Sequence, residues 1–215
     1  MFGWTNKNLI NKLETMKKAP IDENEMVLAF LRAEIDSARF SGKYKKYLSL
    51  FNRDRSLIEK ANLKDQEENE ARLKLLNKTR GYTSRKWLFK NFPRDVQWYR
   101  VNFVGYESRK IKFAHYKDWT KLTKGTRFAF DGAQNIDTLY PGYNHKVNVK
   151  AIVEDLKNGK TYPELICAAL PNSKEIVLIE GHTRATAYFY LFGIIPEKFP
   201  VIVGYSKNIS EWQLF

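Results

Sequence analysis

The sequence predicts an α+β fold, in which a helical N-terminal region is followed by a small mixed sheet with helices. Three observations lead to this prediction. Apolar residues recur at helical spacing through roughly the first 90 residues. Apolar runs with β-branched members, which are typical of strands, appear in the remainder of the chain. One of these runs leads directly into a glycine turn and an amphipathic segment, so a strand, a turn and a helix are expected there in succession.

The helices of the N-terminal region are predicted from their apolar spacing and from the residues at their ends. Asp22 can cap one helix, Asp65 makes the start of another acidic, and Gly42 and Gly81 are suitable residues just past a helix end. We therefore expect four helices in this region, at residues 6–18, 23–41, 43–51 and 65–78.

The second part of the chain, residues 94–215, follows a candidate domain boundary near Pro93 and leaves residues 1–93 as a helical basic region. Residues 97–104 alternate well enough for a strand, and residues 110–115 are expected to be its partner. The other expected elements are strands at 127–130, 164–170, 176–179 and 200–205, helices at 118–122, 147–158 and 185–192, a hairpin turn at 171–174, and polar loops at 131–135 and 140–145.

Basic charge is concentrated in the first half of the chain. The net charge is +13, and residues 1–110 contain 24 basic and 14 acidic residues, or +10. Such an asymmetry suggests an acidic partner, most commonly nucleic acid. Within residues 72–100, cations alternate with aromatic rings that can stack on bases. The residues expected to contact nucleic acid are Arg80, Arg85, Lys86, Trp87, Lys90 and Arg94. Alternatively, the rings of this stretch are the face that packs the helices onto the second part.

Composition excludes several classes of protein. No run of 18 apolar residues is present, so we expect no membrane span. The single cysteine, Cys167, cannot form an internal disulfide and fits a reducing cytoplasm. One cysteine and three histidines give no clustered zinc pattern. The oligomeric state has no indicator in the sequence.

The predicted turn at the centre of the second part holds Glu180, Gly181, His182, Thr183 and Arg184. Free backbone N–H groups and a positive helix dipole make the start of such a helix a suitable anion site. The glycine allows close approach, the arginine can hold phosphate oxygens bidentately, and the threonine offers a hydroxyl. The histidine is expected to titrate near neutral pH. Alternatively, the glutamate and the arginine simply pair with each other.

The order of elements from residue 127 to 205, with a strand before Gly181-His182-Thr183-Arg184, resembles the ParB/sulfiredoxin superfamily. Its members bind nucleotide phosphates at a Gly-x-x-Arg turn that opens a helix. Sulfiredoxins carry a catalytic cysteine after the glycine, but His182 stands there and Cys167 lies in a predicted strand. ParB partition proteins carry Gly-Glu-Arg-Arg and a later helix-turn-helix domain, which we do not expect here. A free-serine-kinase branch, with an acidic residue before Gly-His-Thr-Arg, looks most similar.

The resemblance implies a nucleotide-dependent phosphoryl-transfer enzyme, either a kinase or a phosphohydrolase. ATP or ADP would be the nucleotide, with Mg²⁺ as a possible companion. Gly181, Thr183 and Arg184 would hold the phosphates, together with His182, which would also contact the transferring group or move a proton. Glu180, alone or with Asp131, would activate a hydroxyl or position Mg²⁺.

Two other functions stay open. The chain could be a nucleic-acid-binding ParB-like module or nuclease, whose basic helical half grips the phosphate backbone. It could also be a protein-interaction module in which the turn no longer binds a nucleotide or catalyses a reaction.

Overall fold

The structure, a computed structural model, describes residues 18–104, 107–139, 141–191 and 198–215. Within these ranges lie eight α-helices and one six-stranded mixed sheet, which confirms the α+β class. The helix expected at residues 6–18 falls outside the described part, except for Lys18, which begins a strand. No helix in the described ranges is long and apolar enough to cross a membrane.

The elements are numbered here in chain order. The helices are α1 (Glu23–Glu34), α2 (Ser41–Leu50), α3 (Ser56–Glu59), α4 (Gln66–Arg80), α5 (Lys117–Leu122), α6 (Ala129–Asn135), α7 (Asn144–Lys157) and α8 (His182–Tyr190). The strands are β1 (Lys18–Pro20), β2 (Gln97–Val104), β3 (Ile111–Phe113), β4 (Leu165–Ala169), β5 (Ile176–Glu180) and β6 (Lys198–Tyr205).

The expected helix caps are present in the N-terminal region. The Asp22 carboxylate accepts a hydrogen bond from the Asn24 N–H at 2.7 Å, and Glu25 completes a capping box at the start of α1. Helix α4 is followed by Gly81, whose φ of +80° is the left-handed conformation that glycine adopts without strain. Helix α1 is shorter than the predicted helix at residues 23–41, because it ends at Glu34. Gly42, expected just past its end, lies in the first turn of α2.

The sheet has the strand order β1-β2-β6-β4-β5-β3. The hairpin expected at 171–174 joins β4 and β5, which are antiparallel. Strand β3, however, does not pair with β2 as predicted, but runs parallel to β5 at the opposite edge. The physical reason is that β2 already has a neighbour on each side, β1 and β6.

The strand expected at 127–130 and the loop expected at 131–135 are both wrong, because helix α6 occupies most of these residues. Arg127 has a φ of +65°, which a strand cannot accommodate, and the strand signal reduces to one bridge with β3. The buried apolar positions of α6 and the residue after it are separated by four and then by three residues, which is helical spacing. Gly132, a poor helix former, makes this pattern harder to recognise in the sequence. The buried apolar residues are Ala129, Ala133 and the following Ile136.

Helices cover both faces of the sheet, and each face has its own hydrophobic core. Apolar residues of α1 to α4 pack in one cluster with Trp98, Ile166 and Ile202 of the sheet. Residues of α5 to α8 pack in the other cluster with Phe113 and Cys167. The helices before Pro93 therefore share the first of these cores with sheet residues that follow Pro93, the predicted division. The carboxyl ends of β3 and β5 lie between the two helical layers.

Candidate functional site

The β5–α8 turn is tighter than predicted. Strand β5 continues to Glu180 and α8 begins at His182, so Gly181 alone connects them, with a φ of +102°. Thr183 and Arg184 therefore lie in the first turn of the helix, and no side chain caps its N-terminus. The free N–H groups of this first turn are the feature that the anion-site prediction requires.

The Arg184 guanidinium folds back over the turn instead of pointing into solvent. Its side chain is buried and forms an ion pair with Glu180, four residues earlier. A Cβ added to Gly181 would lie 2.8 Å from the guanidinium, so the glycine makes room for this arginine. Burial raises the pKa of Glu180, and the charge on Arg184 opposes that rise. The pairing that the sequence left as an alternative is thus the arrangement in the structure.

The expectation that His182 titrates near neutral pH is wrong. Its ring lies among aromatic side chains, with centroid distances of 5.4 Å to Phe113, 5.3 Å to Tyr116 and 5.6 Å to Trp119. The Ala114 N–H donates to Nε2 at 3.3 Å, an interaction that requires an unprotonated nitrogen. Burial, reinforced by nearby positive charges, lowers the pKa of His182 to about 3. The imidazole is therefore neutral at physiological pH.

A second buried ion pair reaches the site from the helical layer. Arg80 of α4 pairs with Glu34 of α1, and the Tyr44 hydroxyl donates to the same carboxylate at 2.6 Å. The charge of Glu34 raises the pKa of Glu180 and the charge of Arg80 lowers it, so this pair contributes to the electrostatics of the turn. Arg80, which the sequence assigns to nucleic-acid contact, is held inside the protein instead. Its guanidinium lies 3.5 Å from the centroid of the Phe40 ring.

Glu34 was not predicted from the sequence, although a signal for it exists. Glu34 follows Phe30 by four residues and Leu31 by three, so it continues the apolar face of α1 as a carboxylate, and it is only 2% exposed. A buried carboxylate needs a cationic partner. Spacing alone could not have identified Arg80 as that partner, because 46 residues separate the two.

Tyr116 and His145 complete the surroundings of His182. Burial raises the pKa of the Tyr116 hydroxyl, and the charges of Arg80 and Arg39 oppose this rise. His145 packs on Trp119, with ring centroids 4.4 Å apart, and burial lowers its pKa. Nothing in the sequence marked these residues, because they reach the turn from separate loops and helices.

Asp131 is not part of this cluster of contacts. It lies in the first turn of α6, where its carboxylate accepts a hydrogen bond from the Thr126 hydroxyl. Such a bond stabilises the turn that precedes the helix. In the described part of the chain, no group of three or more histidine, cysteine, aspartate or glutamate side chains could hold a metal ion.

The basic aromatic stretch divides into inward and outward side chains. Arg85 donates to the carbonyl oxygens of Tyr82 and Pro93, so its guanidinium supports the loop. Four others of the predicted contact residues are exposed, and these are Lys86, Trp87, Lys90 and Arg94. An open groove of about 640 Å³ lies beside them, lined by Arg85, Asn91, Phe92, Pro93, Arg94 and Glu211.

Comparison with known proteins found no matching family model, no matching curated protein and no matching solved structure. The resemblance to the ParB/sulfiredoxin superfamily therefore rests on the turn motif and the order of elements alone.

Proposed function

We propose that the protein binds a nucleotide by its phosphates at the β5–α8 turn and acts as a phosphoryl-transfer enzyme, a kinase or a phosphohydrolase. The observation that carries this proposal is the uncapped start of α8 directly after Gly181, with Arg184 beside it. ATP or ADP is the nucleotide that the resemblance to the ParB/sulfiredoxin superfamily suggests. A cytoplasmic location fits the single cysteine, Cys167, which is buried.

Phosphate binding at this turn requires Arg184 to exchange its partner. In the structure the guanidinium is already paired with the Glu180 carboxylate. A carboxylate and a phosphate are both anions that an arginine can bind through two parallel hydrogen bonds. A phosphate carries more negative charge and receives additional hydrogen bonds from the N–H groups and the Thr183 hydroxyl. The phosphate would therefore displace the carboxylate, and Glu180 would be released next to the reacting group.

Glu180 suits the role of proton acceptor once it is displaced. Burial raises its pKa, so the carboxylate is a stronger base than one in water. This role needs no contribution from Asp131, whose carboxylate is bonded to Thr126.

His182 suits the role of a neutral hydrogen-bond donor. Because Nε2 accepts the Ala114 N–H, the proton of the neutral ring resides on Nδ1. With a pKa of about 3, the ring does not exchange protons at neutral pH. We therefore assign it contact with the phosphoryl group instead of proton transfer, the second role considered for it from the sequence.

The residues at the turn do not form a protein site for Mg²⁺. Glu180 is the one carboxylate of the turn itself, and within the described ranges no metal-binding group of three acidic, histidine or cysteine side chains occurs. Mg²⁺ is usually held by one or two carboxylates and the phosphates of a substrate.

A thermal-shift experiment tests the proposal, using ATP, ADP, CTP and GTP with Mg²⁺. A nucleotide at 100 times its Kd adds about 2.7 kcal/mol to the free energy of unfolding, which corresponds to roughly 5–10 °C for a chain of this size. The shift should disappear in the double variant Glu180→Gln/Arg184→Met, which removes the guanidinium without leaving a buried charge.

The single variant Glu180→Gln is the matched control, because it keeps Arg184 and removes its competing anion. It should bind the nucleotide more tightly than the wild type does. Absence of a shift with every nucleotide, in the wild type and in Glu180→Gln alike, would sink the proposal.

A further inference from the structure

Trp87 is held on the surface although its neighbours in sequence are buried. Its side chain is 62% exposed, whereas Leu88 is 7% and Phe89 is 0% exposed. The residue begins a 3-10 turn and has a φ of +50°, a conformation that a tryptophan rarely adopts. The backbone thus directs one large ring outward while the two following side chains enter the core.

The segment that presents Trp87 is firmly anchored. The Phe89 ring packs edge-on against Tyr82 at 4.8 Å and against Phe92 at 5.2 Å. The Trp212 indole N–H donates to the Leu88 carbonyl at 2.7 Å, which ties the segment to the C-terminal residues. Because these contacts surround Trp87 on both sides in sequence, binding at its ring would require little ordering of the backbone.

Positive charge surrounds the exposed ring. The Lys43 ammonium lies 4.8 Å from the ring centroid, and Lys86 precedes the tryptophan and is exposed. Lys90 follows Trp87 by three residues across a 3-10 turn, the spacing at which side chains eclipse one another. No ion pair among the described residues involves Lys86, Lys90 or the nearby Arg94. These cations are therefore available to an anionic partner.

We propose that this surface binds single-stranded nucleic acid, with one base stacked on the Trp87 ring and the adjacent phosphates held by Lys86, Lys90 and Arg94. The Lys43 ammonium lies over the ring, so the base stacks on the face that this cation leaves open. Aromatic faces together with a basic track are the common means of binding single strands. In a duplex the bases are already stacked on each other, so a flat exposed ring has no base face to contact. This binding does not depend on the nucleotide site at the β5–α8 turn.

The direct test is the binding of a fluorescein-labelled oligothymidylate of about 15 nucleotides to the full chain, measured by anisotropy. Trp87→Ala should weaken binding by about fivefold to a hundredfold, the range measured for loss of one base stack. Trp87→Phe should retain part of the affinity, because phenylalanine keeps an aromatic face. Leu50→Ala is the matched control, since Leu50 is also an exposed apolar side chain at 64%, and it should leave the affinity unchanged.

The salt dependence of binding tests the two lysines among these cations. The slope of log K against log salt should fall by about 0.7 for each phosphate contact that is lost, so Lys86→Gln/Lys90→Gln should lower it by about 1.4. Lys174→Gln in the β4–β5 hairpin is the control for loss of one exposed charge, and it should leave the slope as it is.

Three results would overturn the proposal. The first is an affinity of Trp87→Ala equal to that of the wild type, with an unchanged unfolding midpoint showing that the variant is folded. The second is binding of a duplex of the same sequence as tightly as the single strand. The third is binding of polyglutamate or of anionic phospholipid vesicles that depends on Trp87 more strongly than binding of the oligonucleotide does.

Discussion

The β5–α8 turn and the segment of residues 81–94 are both rich in charge, but they direct that charge in opposite ways. At the turn, Arg184 is buried against Glu180, and Arg80 is half-buried against the buried Glu34. In the segment, Lys86 and Lys90 are exposed and have no acidic partner among the described ion pairs. Burying a charge is tolerated only with hydrogen-bond partners, which are a carboxylate for Arg184 and backbone carbonyl oxygens for Arg85, so the availability of such partners decides which cation turns inward. A cation-rich stretch of sequence therefore predicts a basic surface only for those cations that have no partner inside the protein.

The largest effect on stability is expected when one partner of a buried ion pair is removed. Arg184→Met leaves the Glu180 carboxylate buried without a cation, and loss of one member of a buried pair costs about 3–5 kcal/mol. Arg94→Met, at an exposed position, should change the free energy of unfolding by less than about 0.5 kcal/mol. Urea denaturation of the two variants measures the difference.

The double variant Glu180→Gln/Arg184→Met separates lost charge pairing from lost packing. It should recover most of the stability that Arg184→Met loses, because no buried charge remains. If the double variant is as unstable as the single one, packing of the guanidinium over Gly181 is the main contribution and the comparison fails.

A smaller effect is expected at the glycine that accommodates the arginine. Gly181→Ala places a Cβ 2.5 Å from a methyl carbon of Leu165 and 2.8 Å from the Arg184 guanidinium, at a φ of +102°. Strain and overpacking together should cost about 2–4 kcal/mol. Gly159→Ala has a similar φ of +80° but no atom within 4 Å of the new Cβ, so it should cost only about 1 kcal/mol. Thermal unfolding of both variants gives the comparison, and equal losses would show that only backbone strain matters at Gly181.

The smallest expected effect is a pH dependence from His182. Its pKa is about 3 in the folded protein and near 6.5 when unfolded, so the unfolded state binds more protons between these values. The stabilisation is complete above pH 6.5 and is lost as the pH falls toward 3. Between pH 7 and pH 5 we expect the wild type to lose about 1–2 kcal/mol more than His182→Gln does.

The comparison with His182→Gln is needed because Glu180 acts in the opposite direction. Its raised pKa means that the folded state retains a proton more readily, so its contribution to stability falls as the pH rises above about 4.3. The variant His182→Gln keeps the contribution of Glu180 and removes the contribution of His182. An equal loss of stability by the two proteins between pH 7 and pH 5 would show that His182 is not held neutral by burial.

Local signals sufficed for most of the fold. Strand β2 lies at the predicted residues 97–104, and the cap of α1 is the predicted Asp22. Asp65, predicted as the acidic first residue of a helix, caps α4. These features depend on alternation and on hydrogen bonds between near neighbours in sequence, which a sequence displays directly. The partner of β3 was not predictable in this way, because strand pairing depends on which edges the rest of the chain leaves free.

The candidate site was predictable only in part. The five residues from Glu180 to Arg184 do lie together, since they are consecutive and surround one glycine. The direction of the Arg184 side chain, the low pKa of His182 and the participation of Glu34 and Arg80 all depend on residues far away in the sequence. Burial and long-range charge decide these properties, and neither can be obtained from local spacing.

The two outer strands of the sheet bear on how the protein behaves when crowded. An outer strand exposes backbone groups that can recruit a strand from a second molecule and so begin aggregation. Here β1 and β3 have three residues each, β1 ends in Pro20, and Lys112 in the middle of β3 forms a bridge with Phe128. Proline cannot donate to a new ladder and a short strand offers few bonds. The longest strands, β2 and β6, are paired with each other along all eight residues, and β1 covers residues 99–101 on the other side of β2.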